Sequence, residues 1–98
     1  MLNIINKTPW DRPALDAALQ CADGGSILLI EDGVYAATRG SASEARLKDA
    51  MGRLKIYALG PDLEARGVAD RLTEGVTVVG YDGFVDLVAE NKTCQSWL

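Results

Sequence analysis

The stretch Ser26–Ile30, SILLI, constrains this chain more than any other. Its last four residues are apolar with no polar alternation. That pattern marks a strand buried on both faces of a parallel sheet, not one with a wet side. Gly24-Gly25 precedes the run and Glu31-Asp32-Gly33 follows it, so turn signals bound it at both ends. Parallel neighbours need long crossovers, usually helices. The rest of the sequence has to supply them.

It does so in alternation. Leu2–Asn6 reads as a first strand, and Ala14–Ala22 as a helix with Leu15, Ala18, Leu19 and Ala22 on one core-facing stripe. Thr8 or Asp11 suits its cap, and Pro13 its first turn. After Gly33, VYAAT has room for one or two helical turns. Ser41 and Glu44 have the spacing of a capping box for a helix ending at Gly52. Leu54–Leu59 is a third strand, GPDLEARG a short helix with Pro61 near its start and Gly67 at its end, and Val76–Val79 a fourth strand. Gly83–Glu90 is a last helix, and Cys94–Leu98 a short edge strand. The expected fold is α/β, a three-layer α/β/α arrangement on a mostly parallel four- or five-stranded sheet, with one domain over residues 1–98.

Composition narrows the function. A net charge of −4, with ten basic residues scattered among fourteen acidic ones, argues against direct nucleic-acid binding. No apolar run approaches the ~20 residues of a membrane span, and the first residues lack a signal-peptide core, so a cytoplasmic protein without membrane contact is expected. The absence of histidine removes the commonest general base and metal ligand. Two cysteines, Cys21 and Cys94, make neither a disulfide framework nor a zinc pattern. With no phosphate-binding glycine motif either, no cofactor and no metal are expected.

The candidate sites each carry two readings. Glu31-Asp32-Gly33 lies at the carboxyl end of a strand, where open parallel sheets bind ligands. A phosphate-accepting receiver site would need another Asp after the third strand, which ends in Ala58-Leu59-Gly60. The expectation is therefore that Asp32 caps the following helix; the rival is a stand-alone small-ligand module using Asp32 and Tyr81-Asp82. Cys21 joins Ala14 and Ala17 on a second, small-residue face of the first helix, suited to close packing of another helix. It sits in the last turn, where the macrodipole disfavours a thiolate, with Asp23 nearby. Cys94 has Lys92 close by but no base. Trp10 and Tyr35 follow strand ends, and Trp97 is penultimate, either docked on its own core or an anchor for a partner.

Together these stretches carry a resemblance. NKTPW after the first strand, LLIEDGVYAA, KIYALGPDLEARG, YDGFVDLV and the terminal QSWL resemble the TusB/DsrH family from Leu2 to Leu98. GPDLEARG and GFVDL are more similar to the DsrH branch. The resemblance implies a subunit of a cytoplasmic sulfur relay. Its partners would be DsrE/TusD-like and DsrF/TusC-like paralogues in a heterohexamer with two copies of each, passing persulfide sulfur on to a TusE/DsrC-like acceptor. The TusBCD branch serves 2-thiouridine formation at the tRNA wobble position, and the DsrEFH branch serves dissimilatory sulfur oxidation. The main sulfur-accepting cysteine belongs to the DsrE/TusD-type subunit. DsrH-type chains resemble one another in a first-helix cysteine that falls on Ala17 or Ala18 here, whereas this chain has Cys21 one turn later. An accessory, non-catalytic subunit is the expectation, with Cys21 the sulfur-carrying candidate of the rival reading. Ala14, Ala17, Cys21, Tyr35 and Trp97 are the interface candidates.

Overall fold

The computed structural model describes residues 1–8, 14–21 and 24–97. Trp10, Asp11, Pro13, Ala22, Asp23 and Leu98, named above, lie outside the described residues, as do the side chains of Ala14 and Cys21. Five strands, β1 (Leu2–Ile5), β2 (Ser26–Leu29), β3 (Lys55–Leu59), β4 (Thr77–Val79) and β5 (Cys94–Trp97), form one sheet in the order β4-β3-β2-β1-β5. Every pairing is parallel, with Leu2 opposite both Ser26 and Cys94. The short edge strand expected over Cys94–Leu98 is present as β5, paired with β1 over Cys94–Trp97.

Strand order decides where the helices go. The chain steps from β1 to β4 in one direction, then returns past β1 to lay down β5. Right-handed crossovers then put α1 (Ala14–Cys21), α2 (Glu44–Ala50) and α3 (Gly60–Ala65) on one face, and α4 (Tyr81–Glu90) on the other. The two apolar clusters agree. Leu15, Ala18, Leu47 and Leu63 pack with Ile5, Ile27, Leu29 and Ile56 on the first face. Leu87, with Phe84 beside it, packs with Leu2 and Leu28 on the second. The expected three-layer α/β/α fold is present, with a single helix on its second face among the described residues.

Two local expectations change. The segment after β2 is a 3-10 helix spanning Glu31–Ala37, so it begins at the acids and not after Gly33. The Ser41–Glu44 capping box does not form: α2 starts after Ser43, whose hydroxyl donates to Ala36 O at 3.1 Å instead of capping the helix. Glu44 Oε1 accepts from Gly40 N at 3.4 Å, again outside a box. The hydroxyls of Ser41 and Ser43 both turn back to the Ala36 carbonyl, in the last turn of the 3-10 segment. Tertiary demand at that buried carbonyl outweighs the local cap.

Candidate functional site at the carboxyl end of the sheet

The chain leaves β3 toward the first face through Gly60 and leaves β4 toward the second through Gly80. This divergence is the topology that puts the ligand crevice of an open α/β sheet at the carboxyl ends of adjacent strands. Gly60, Gly80 and the buried Leu59, with the exposed Tyr81 and Asp82, stand at that position. A Cβ on Gly60 would stand 3.1 Å from Val78 Cγ1, so glycine lets α3 start tight against β4.

Just after β2, the carboxylate of Asp32 and the backbone N–H of Glu31 have specific partners on the other side of β3. Asp32 does not cap the 3-10 helix; Ile30 is its cap residue, and no side chain closes it. Instead Arg66, just past α3, donates from Nε to Asp32 Oδ1 at 2.8 Å. Asp62 on α3 accepts from the backbone N–H of Glu31 at 2.7 Å and lies 3.7 Å from Arg66 Nη1. Glu31 has φ 49°, a left-handed conformation uncommon for a residue with a side chain. The Asp62 bond holds that turn in place. The guanidinium of Arg66 is raised above its ordinary pKa, first by the hydrogen bond to Asp32 and then by the nearby charges of Asp32 and Asp62, against some desolvation. The acid pair thus fastens the 3-10 segment to α3. Asp62 and Arg66 escape sequence reasoning because nothing local in GPDLEARG points to a partner so far up the chain.

The other candidates lie apart from this crevice. Cys94 is an exposed free thiol that opens β5, opposite Leu2, at the amino edge of the sheet. Cys21 ends α1, which runs back toward the amino edge where β2 begins. Both cysteines therefore sit at the end of the sheet away from the crevice. Val34, Ala36 and Ala37 are buried within the chain, leaving Tyr35 half-buried against the core. Ala17 is half-buried on α1. Trp97 packs on the first-face core and donates Nε1–H to Asn3 Oδ1 at 3.0 Å, so it docks on its own chain. Among the described residues, no group of three or more Cys, Asp or Glu side chains is placed to hold a metal ion. None of the described helices is long and apolar enough to cross a membrane.

Fold and topology together define a three-layer α/β chain on an all-parallel sheet, with no cysteine among the described residues at the carboxyl ends of its strands. A family model described as DsrH like protein matches residues 7–94, and the chain belongs to this TusB/DsrH family. Protein TusB of Erwinia tasmaniensis is 40% identical over 99 residues, covering 99% of this chain and 100% of its own. Protein TusB of Enterobacter sp. (strain 638) is 36% identical over 97 residues, again with 99% and 100% coverage. Among solved structures, the ychN protein of E. coli superposes with a TM-score of 0.82 at 15% identity, covering 98% of this chain and 97% of that one. A Methanobacterium thermoautotrophicum protein of unknown function, MTH1491, gives 0.78 at 21% identity with 98% and 96% coverage. These two likenesses speak for the fold.

Proposed function

We propose that this chain is an accessory, non-catalytic subunit of a cytoplasmic sulfur-relay assembly of the TusBCD/DsrEFH type. It would join DsrE/TusD-like and DsrF/TusC-like paralogues in a heterohexamer that hands persulfide sulfur to a TusE/DsrC-like acceptor. The sulfur would serve either wobble-uridine 2-thiolation or dissimilatory sulfur oxidation. Kinship with TusB proteins over the full chain supports the relay role. One observation carries the accessory part: the carboxyl ends of β3 and β4 carry Leu59, Gly60, Gly80 and Tyr81, while both cysteines lie at the opposite edge of the sheet. A persulfide relay needs a thiolate where the acceptor can reach it. The half-buried Ala17 and Tyr35, with Ala14, Cys21 and Trp97, remain the interface candidates of this reading.

The test is co-expression with the two paralogues of the same genome, native mass spectrometry of the product, and intact mass after exposure to a persulfide donor. The expected result is a mixed complex in which the DsrE/TusD-like chain gains a sulfur atom and this chain gains little. Ala17→Arg should weaken assembly without unfolding the chain. Rapid stoichiometric sulfur loading of this chain, lost in Cys21→Ser, would make it a carrier instead.

A further inference from the structure

The second face of the sheet has α4 as its only helix among the described residues, and α4 is apolar over more of its circumference than the sheet covers. Phe84 and Leu87 point into the sheet. Tyr81, Val85 and Val88, spaced i, i+4, i+7, form another row on the same helix, with side chains 62%, 65% and 41% exposed. Soluble chains seldom leave an aligned apolar row of this kind in water unless something docks there. Tyr is also among the residue types enriched at the energetic centres of interfaces.

Charge identifies what fits. Asp82, Asp86 and Glu90 form a third, exposed row at i, i+4, i+8, and α4 contains no Lys or Arg. No ion pair answers these three carboxylates among the described residues. Glu90 lies in the last turn, where the helix dipole disfavours a negative charge. A second copy of this chain is a poor match. A two-fold contact centred on the apolar row would bring two acid rows to the rim of one buried patch with no cation on either helix. We propose that the outer face of α4 docks a different protein, one presenting an apolar surface bordered by Lys or Arg side chains. Tyr81, Val85 and Val88 enter the apolar centre, and Asp82, Asp86 and Glu90 meet the basic rim. This inference rests on the assembly reading above and adds a surface to it that lies apart from α1.

The probes are the two paralogous chains, tested against wild type, Val85→Asp and the double variant Asp86→Lys/Glu90→Lys. Binding is read by titration at low and high salt, and folding by thermal melting. Because the substituted side chains are exposed, no variant should unfold, Val85→Asp should melt close to wild type, and the charge-reversed variant should melt at or slightly above it. Val85→Asp should lose at least about 30-fold in affinity for one paralogue, as loss of a central contact does. The charge-reversed variant should bind weakly at low salt and lose the salt dependence that wild type shows. Wild-type affinity in both variants overturns the surface and leaves the assembly reading standing. A self-dimer of wild type abolished by Val85→Asp overturns it in favour of a second copy. Failure of wild type to bind either paralogue overturns the assembly reading, and the proposed partner with it.

Discussion

Arg66 and Asp32 are thirty-four positions apart in sequence and 2.8 Å apart in space, joined by one Nε–H···Oδ1 bond. The pair ties the exit of β2 to the end of α3, so the crossovers on either side of β3 hold each other at the carboxyl edge. Asp32 is half exposed, which places the pair among screened surface bridges.

Its strength is accordingly modest. A double-mutant cycle with Asp32→Asn and Arg66→Gln should give a coupling energy of about 0.5 kcal/mol in chemical denaturation. Added salt at ~0.5 M should shrink it further, because exposed charges are screened over a few ångströms there. The guanidinium pKa is raised in the folded state, so its contribution is complete below the ordinary arginine value and fades only as pH climbs through the folded one. The arginine therefore adds no slope to stability between neutral and mildly alkaline pH. A coupling above ~2 kcal/mol would mark the site as far better shielded than its exposure implies.

What was legible in the sequence follows from the range of the forces involved. The strand cores and the inward stripe of α1 are local hydrophobic patterns, and the structure buries Leu15, Ala18, Leu19 and the SILL strand as expected. Pro61 and Gly67 bracket α3 for equally local reasons. The α/β alternation and the parallel sheet were readable for the same cause. Strand order was not, since nothing in the pattern of β5 says that it pairs beyond β1. The capping expectations for Asp32 and for Ser41–Glu44 failed where another partner won over the nearest backbone N–H: the distant Arg66 for Asp32, and the carbonyl of Ala36, five and seven residues back, for the two serines. Local chemistry names what a side chain is able to do, and the tertiary fold chooses among those options.

Gly33 gives a sharper expectation than either acid. A Cβ built there would run into the carbonyl oxygen and carbon of Ile5 and crowd the Cα of Asn6. Its own N–H bonds to Ile30 O at 2.8 Å, so the 3-10 segment crosses β1 backbone against backbone. Gly33→Ala should therefore cost about 2 kcal/mol or more, because neither backbone has a rotamer with which to yield. Gly52→Ala is the control: a Cβ there meets nothing within 4 Å, and its φ is not left-handed. The control should be neutral or slightly stabilising in a thermal melt, as loss of unfolded-state freedom predicts. Equal melting of the two variants would mean that the 3-10 segment is held less tightly against β1 than its contacts indicate.

Trp97 supplies the last expectation, and it bears on whether this residue belongs to the fold or to a partner. Its indole N–H donates to Oδ1 of Asn3, whose side chain is 3% exposed in the strand beside it. Trp97→Phe keeps most of the apolar contact but leaves a buried amide oxygen without its donor, a loss of about 1–3 kcal/mol. In a domain of this size that corresponds to a melting shift of about 4–8 °C per kcal/mol. Combining it with Asn3→Leu removes both polar partners and should recover part of the stability, since paired deletion is far cheaper than orphaning one group. Recovery in the double variant of the isolated chain assigns Trp97 to the chain's own edge-strand packing. A single variant that melts like wild type but assembles poorly with the paralogues would instead make the indole a contact for the partner.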